Sequence, residues 1–196
     1  MKYLRIIFCL ALCACQNDKA KQSLLAIDPE IDGQWVNMVV EIPAGTLEKW
    51  EVSKETGQIE RDSVNGLPRT INYLGYPAHY GFVPQTLLTK SEGGDGDPLD
   101  ILVLGESAKR GTILRCKVLG VLKLIDNDEQ DDKLIAVTKD SPFANVDNVG
   151  QLDAQYPGTL EIIETWFINY KGTGKMQSAG FESDQAAKEV LKKFSK

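Results

Sequence analysis

Three aspartates lie within six residues, in the run Gly94-Asp95-Gly96-Asp97-Pro98-Leu99-Asp100. Carboxylates this close repel one another, so folded proteins place them together mainly where metal ions neutralise them. Gly96 frees the backbone and Pro98 fixes a bend, and together they can bring all three carboxylates to one side of the chain. The run therefore predicts a site for a hard, oxygen-binding metal ion, with a solvated acidic turn before a strand as the structural alternative.

Five further short motifs occur along the chain. They are Val40-Glu41-Ile42-Pro43; Lys49-Trp50-Glu51 with Lys54-Glu55-Thr56-Gly57; Tyr76-Pro77-Ala78-His79-Tyr80-Gly81; Gly120-Val121-Leu122 with Asp126, Asp131 and Lys133; and Tyr170-Lys171. Together with the acidic run, they resemble the motifs of the soluble family I inorganic pyrophosphatases and follow that family's order. The resemblance covers about Trp35 to Phe194.

The resemblance implies hydrolysis of inorganic pyrophosphate to two phosphates. This reaction needs metal ions that screen the anion, fixed cations that orient it and an activated water as nucleophile. Oxygen ligands, with no sulfur and little histidine, favour Mg²⁺, with Mn²⁺ as the alternative metal. Lysine and arginine side chains can neutralise phosphate oxygens, and tyrosine hydroxyls can donate hydrogen bonds to them.

The expected role of each residue follows from its position in the family's motifs. Asp97 is expected to be the general base that takes a proton from the attacking water. The expected metal ligands are Asp95, Asp100 and Asp131, for ions that bind the free enzyme, and Asp126 and Glu41, for ions that arrive with substrate. The expected substrate-binding side chains are Lys49, Tyr80, Tyr170 and Lys171, with Lys133 beside the departing or electrophilic phosphate. Glu51 and Tyr76 are expected to support these ligands.

The family also places a phosphate-binding arginine between the first hairpin and the Tyr-Pro motif, and this interval contains both Arg61 and Arg69. Residues 62–68, with Asn65-Gly66 as the turn, resemble an inserted hairpin relative to shorter family members. We favour Arg69, because its distance of seven residues from Tyr76 resembles the family's spacing. Arg61 is the alternative, although the role of an ordinary surface arginine suits it better.

The first fifteen residues contain a basic start, an apolar run at residues 6–12 and the sequence Leu12-Cys13-Ala14-Cys15. This pattern resembles a bacterial lipoprotein signal, with Cys15 as the lipidated residue because the small Ala14 precedes it. The apolar run is too short to span a bilayer, which needs about 20 apolar residues. The predicted organisation is a signal peptide at residues 1–14, a tether at 15–30 and an inorganic pyrophosphatase domain at 31–196. We expect membrane attachment at the periplasmic face, with a cytoplasmic location as the alternative.

The elements that must position the motifs can be predicted from apolar patterns. Short apolar runs rich in β-branched residues predict strands at residues 36–42, 101–104, 113–124 and 134–137. Helical spacing predicts helices at residues 158–169 and 183–194, the second with Ser183 as its cap. Strands followed by helices indicate an α+β domain. The resemblance implies an OB-like closed five-stranded β-barrel flanked by these two helices, and it is compatible with a homo-oligomer, since hexamers and dimers are common in the family.

An OB-like barrel could also bind nucleic acid, but the net charge of −6 has the wrong sign for a phosphate-backbone binder. Loss of Lys2 and Arg5 with the signal peptide would make the chain still more acidic. The other alternative to an enzyme is a non-catalytic surface lipoprotein that binds metal or phosphate, since export would separate the chain from cytosolic pyrophosphate. Asp97 between Asp95 and Asp100 favours the enzyme, because binding alone does not need a base there.

Overall fold

The structure is a computed structural model that describes residues 22–89, 96–127 and 129–195. Asp95, Cys15 and the predicted signal peptide lie outside the described residues. The last part of the predicted tether, residues 22–30, lies against the domain. The Leu24 amide donates to the Gly57 carbonyl at 2.8 Å, and the Gln85 side chain donates to the Ile27 carbonyl at 3.1 Å. Among the described residues, no helix is long and apolar enough to cross a membrane.

The described residues form eleven strands and three α-helices. In chain order the strands are β1 (Trp35–Ile42), β2 (Trp50–Val52), β3 (Ile59–Arg61), β4 (Ser63–Val64), β5 (Leu67–Pro68), β6 (His79–Phe82), β7 (Asp100–Leu104), β8 (Ile113–Asp126), β9 (Glu129–Gln130), β10 (Lys133–Thr138) and β11 (Met176–Glu182). The helices are α1 (Val149–Gln155), α2 (Thr159–Asn169) and α3 (Asp184–Phe194), and a short 3-10 turn spans Leu24–Ala26.

Five strands close into a ring in the order β1, β6, β7, β10, β8 and back to β1. Neighbouring strands in the ring are antiparallel except β7 and β10, which run parallel. The 14-residue β8 is long enough to pair with β1 near its start and with β11 near its end. This closed five-stranded ring with its helices confirms the predicted OB-like α+β fold class.

Both faces of the ring strands are buried, which explains why the sequence shows continuous apolar runs instead of alternation. On one face, Leu102 belongs to an apolar cluster that includes Trp166 of α2. On the other face, the neighbouring Ile101 belongs to a cluster that includes Leu191 of α3. Successive residues of a strand point to opposite faces, so β1, β7, β8 and β10 each contribute residues to both clusters.

The two predicted helices are present, with Gly158 and Ser183 as their N-caps. The short α1 differs from the expectation, since the sequence did not predict it. It buries only Leu152, so its apolar stripe is too weak to recognise. Its start is set by Asn148, whose side-chain oxygen accepts a hydrogen bond from the Gln151 amide at 2.9 Å.

Three strands, β6, β9 and β11, were not predicted from the sequence. The β6 segment lies in the Tyr-Pro motif, whose proline and glycine indicate a turn, but pairing with β1 and β7 holds it extended. Gly81 is required there, because a Cβ atom would lie 1.9 Å from the Val39 carbonyl oxygen. The predicted hairpin at residues 62–68 is confirmed by β4 and β5, with Asn65 and Gly66 at φ 55° and 76° in the turn.

Candidate functional site

One cavity of about 200 Å³ is lined mainly by charged and tyrosine side chains. Every predicted site residue that the structure describes lines it: Glu41, Lys49, Glu51, Arg69, Tyr76, Tyr80, Asp97, Asp100, Asp126, Asp131, Lys133, Tyr170 and Lys171. Each strand of the ring contributes one of them, namely Glu41 from β1, Tyr80 from β6, Asp100 from β7, Asp126 from β8 and Lys133 from β10. The predicted ligand Asp95 lies outside the described residues.

Two lysines hold three of the carboxylates. Lys133 Nζ lies 2.5 Å from Asp100 Oδ2 and also contacts Asp131, while Lys171 contacts Asp126. Burial alone would lower the pKa of Lys133, but the charges of Asp100 and Asp131 raise it above its usual range. Lys133 therefore keeps its positive charge at the base of the cavity, where only 3% of its side chain is exposed.

The cavity carboxylates fit a hard metal ion by their chemistry, since all their donor atoms are oxygens. Within the part of the chain that the structure describes, no three His, Cys, Asp or Glu side chains already form a metal-binding group. The lysine ammonium groups are instead the cations that Asp100, Asp126 and Asp131 contact. A divalent ion held by these carboxylates would take over part of this neutralising role.

Glu41 is the most deeply buried acid of the cavity, with 4% of its surface exposed. Its Oε1 accepts a hydrogen bond from the Val52 amide at 2.6 Å. Burial and the nearby charge of Asp100 raise the pKa of Glu41 to about 8. The carboxyl group therefore retains a proton at neutral pH unless a cation approaches it, which is the behaviour of a buried acid that lacks a full counter-charge.

Lys49 places a second ammonium group in the cavity wall, with 12% of its side chain exposed. Its Nζ lies 2.8 Å from Glu51 Oε1 and 5.1 Å from the centroid of the Tyr80 ring. Burial alone would lower the pKa of Lys49, but Tyr76 and Glu51 raise it above its usual range. Lys49 is thus a permanent cation held over the Tyr80 ring.

The cavity tyrosines Tyr76 and Tyr170 pack against the ring of Trp166. The Trp166 ring lies 4.5 Å from that of Tyr76 and 4.6 Å from that of Tyr170, between ring centroids. Tyr76 in turn lies 5.4 Å from Tyr80. Burial and the charge of Asp100 raise the pKa of Tyr80 well above its usual range. The Tyr80 hydroxyl therefore stays protonated and can donate a hydrogen bond.

The structure separates the two candidate arginines. Arg69 lines the cavity, and its Nη1 donates to Asp62 Oδ2 at 3.0 Å. Arg61 lies outside the cavity lining, where its Nη1 is 3.0 Å from Glu48 Oε1. Of the two, only Arg69 is placed to reach a ligand in the cavity.

Asp97 lies at the cavity rim, with about half of its side chain exposed. Its Oδ1 is 2.6 Å from Lys54 Nζ, which extends from the turn between β2 and β3. The loop carbonyl of Asp97 accepts a hydrogen bond from the Leu88 amide at 3.0 Å. Asp97 is therefore anchored through its backbone while its carboxylate remains accessible to water.

Sequence reasoning missed several residues that shape the site. Lys54 contacts Asp97, Asp62 holds Arg69, and Phe167 lines the cavity wall. Lys54 stands inside one of the six motifs, so its charge and its position near the other motif lysine were available signals. Asp62 and Phe167 carried none, because their contacts depend on how the hairpin and α2 fold back on the ring.

Comparison with known proteins agrees with this geometry. A model of the inorganic pyrophosphatase family matches residues 38–196. The chain is 35% identical over 162 residues to the inorganic pyrophosphatase of Campylobacter jejuni, a match that covers 81% of this chain and 88% of that protein. It is 37% identical over 155 residues to the mitochondrial inorganic pyrophosphatase of Saccharomyces cerevisiae, covering 69% of this chain. The matched part spans only 50% of the yeast protein.

The fold is similar to that of a solved structure, the N-terminally truncated vacuolar soluble pyrophosphatase of Trypanosoma cruzi in complex with PPi. The TM-score is 0.78 at 27% identity, and the match covers 86% of this chain and 70% of that one. The family match at residues 38–196 includes every described residue that lines the cavity. The chain belongs to the inorganic pyrophosphatase family.

Proposed function

We propose that this protein hydrolyses inorganic pyrophosphate to two phosphates in a reaction that depends on divalent metal ions. One observation carries the proposal. Four cationic side chains and six carboxyl groups line the same cavity, so the acids outnumber the cations. An anion as highly charged as pyrophosphate would be repelled by such a lining unless metal ions joined the carboxylates.

Mg²⁺ is the proposed metal, and Mn²⁺ is the alternative. The side chains proposed to hold these ions are Asp95, Asp100 and Asp131 in the free enzyme and Asp126 and Glu41 with substrate. When bound, such ions screen the phosphate oxygens and allow a water to lose its proton near neutral pH. The protonated Glu41 carboxyl group would then lose its proton when an ion binds it.

Asp97 is proposed as the general base. Its carboxylate lies at the rim, where water reaches it, and it takes one proton from the attacking water. The water oxygen bonds to one phosphorus, and the bond between that phosphorus and the bridging oxygen breaks. The second phosphate leaves with the bridging oxygen, and the proton on Asp97 passes to solvent or product. One water and one pyrophosphate thereby yield two phosphates.

The fixed cations and hydroxyls of the cavity are proposed to orient the substrate. Lys133 would lie beside the departing or electrophilic phosphate, supported by its burial at the base of the cavity. The other proposed phosphate-binding side chains are Lys49, Arg69, Tyr80, Tyr170 and Lys171. Glu51 and Tyr76 support this set, since Glu51 contacts Lys49 and Tyr76 packs against Tyr80.

The test is phosphate release from pyrophosphate by the purified chain, with Mg²⁺, with Mn²⁺ and with a chelator. We expect rapid release only with metal, and a loss of at least about 100-fold in kcat for Asp97→Asn. The matched control is Asp153→Asn, the same change at an exposed position of α1. A folded chain that releases no phosphate with either metal would refute the proposal and leave the non-catalytic metal- or phosphate-binding lipoprotein as the alternative.

Attachment to the membrane is a separate proposal. The lipobox-like sequence supports lipidation of Cys15 and a location at the periplasmic face. Metabolic labelling with palmitate should label the wild type and leave Cys15→Ser unlabelled. An unlabelled wild type would favour the cytoplasmic alternative and would not affect the proposed hydrolysis.

A further inference from the structure

Four residues outside the cavity form a compact group: Glu48, Trp50, Arg61 and Arg110, called the arginine cluster below. The guanidinium carbon of Arg110 lies 3.9 Å from the centroid of the Trp50 ring, and that of Arg61 lies 5.5 Å from it. The Glu48 carboxylate is 3.0 Å from Arg61 and 3.5 Å from Arg110, and it accepts a hydrogen bond from Trp50 Nε1 at 3.0 Å. The four side chains therefore hold one another in place.

The arginine cluster is hydrogen-bonded to backbone groups of residues that line the cavity. Arg110 Nε donates to the carbonyl oxygen of Glu41 at 2.9 Å, and Arg61 Nε donates to that of Arg69 at 3.2 Å. The amide of Lys49 donates to the same Arg69 carbonyl, also at 3.2 Å. Arg110 and Arg61 thus bind the backbone of Glu41 and Arg69, whose side chains line the cavity. Neither Arg61 nor Arg110 is itself among the residues that line it.

Strand geometry explains this arrangement. Lys49 and Glu51 both line the cavity, and Trp50 between them points away because successive strand residues face opposite sides. Trp50 pairs directly with Arg61 across the β2–β3 hairpin. The hairpin therefore contributes Trp50 and Arg61 to the arginine cluster, while Lys49 and Glu51, on either side of Trp50, line the cavity.

We propose that Arg61 and Arg110 are positioning residues: Arg61 fixes Arg69 for phosphate binding, and Arg110 fixes Glu41 for metal binding. Glu48 and Trp50 hold the two guanidinium groups at the separation that these contacts need. The inference rests on the proposed function, since it assigns Arg69 and Glu41 their roles in pyrophosphate hydrolysis. It predicts two different defects from two neighbouring arginines.

The test uses Arg61→Met and Arg110→Met in the full chain, because methionine keeps an unbranched stem but donates no hydrogen bond. Arg61→Met should raise the KM for pyrophosphate about tenfold while kcat stays within about twofold. Arg110→Met should instead raise the dissociation constant for Mg²⁺ about tenfold. Calorimetric titrations with Mg²⁺ and with imidodiphosphate, an analogue with a nitrogen bridge, measure both bindings without turnover.

The matched control is Arg115→Met, an arginine that contacts Glu30 away from the cavity and should leave both bindings unchanged. Folded Arg61→Met and Arg110→Met variants with wild-type binding would overturn the proposal, and so would equal defects in the control. If the methionine variants fail to fold, Arg61→Lys and Arg110→Lys replace them. We then expect rises of about threefold in the KM for pyrophosphate and in the dissociation constant for Mg²⁺, respectively. Unchanged values in folded lysine variants would overturn the proposal. A wild type that binds both ligands without hydrolysis would contradict the proposed function but leave the positioning proposal intact.

Discussion

Trp166 stacks on Tyr170, with ring centroids 4.6 Å apart and ring planes 9° from parallel. Trp166 is buried near the end of α2, and its Nε1 donates to the Leu74 carbonyl at 2.9 Å. Tyr170 caps the same helix and lines the cavity. The ring of Tyr170 therefore packs against the core, and the same residue also lines the cavity. A mutation that keeps the ring and removes the hydroxyl can separate packing from ligand binding.

The first prediction concerns this pair. Tyr170→Phe keeps the stacked ring and removes the hydroxyl, so we expect an unfolding free energy within about 1 kcal/mol of wild type and a KM for pyrophosphate raised about fivefold. Trp166→Ala removes the buried ring against which Tyr76 and Tyr170 pack, and it should lower the unfolding free energy by about 3 to 5 kcal/mol. Urea unfolding and steady-state kinetics measure both. Equal loss of stability in the two variants would contradict this division.

The second prediction concerns Gly81. Its missing Cβ allows β6 to approach β1, because an added Cβ would lie 1.9 Å from the Val39 carbonyl oxygen. We expect Gly81→Ala to lower the unfolding free energy by about 3 kcal/mol, since backbone atoms must shift. The control is Gly150→Ala in α1, where the nearest atom to the new Cβ is Asn148 Oδ1 at 3.3 Å. The control should change stability by about 1 kcal/mol or less, and similar values for both glycines would refute the argument.

The third prediction concerns the pH dependence of stability at Cys116. Burial raises the pKa of the Cys116 thiol from 9.0 to about 12. Between these values the unfolded thiol loses its proton while the folded thiol keeps it, so the folded state binds more protons and stability falls as pH rises. The loss approaches about 1.4 kcal/mol per pH unit above pH 9.

Cys116→Ala removes this contribution and leaves every other titrating group in place. We therefore expect the stability of the wild type to fall more steeply than that of Cys116→Ala between about pH 8 and pH 10, as measured by urea unfolding. Parallel curves would show that the native thiol is ionised as easily as the unfolded one. The absolute stability of the variant does not enter the comparison, because the cavity left by alanine lowers the unfolding free energy equally at every pH.

The fourth prediction concerns metal binding and thermal stability. An ion that binds the folded state alone at 100 times its dissociation constant adds about 2.7 kcal/mol, which corresponds to about 5 to 10 °C in Tm for a domain of this size. We expect this shift with Mg²⁺ at constant ionic strength. Asp131→Asn, which removes a carboxylate from the cavity, should retain less than about half of it, while the exposed Asp153→Asn retains all. An equal shift in both variants would argue against Asp131 as a ligand.

The strands and helices with strong patterns could be predicted, because their own residues decide them. The strand β7 and the helix α3, with Ser183 as its N-cap, begin and end within one residue of the predicted bounds. The β6 strand could not be predicted, since its own proline and glycine indicate a turn and only pairing with β1 and β7 extends it. The short α1 was missed because it buries a single residue.

The sequence by itself determined the residue types of the site and their order along the chain, because the motifs are local and carry their chemistry in a few neighbouring residues. Only the tertiary structure decided which side chains meet: Arg69 and not Arg61 reaches the cavity, and Lys133 contacts both Asp100 and Asp131. Ring closure explains this, since it brings together strands that are far apart in sequence. A distance between two such side chains depends on strand register and packing, which no single segment encodes.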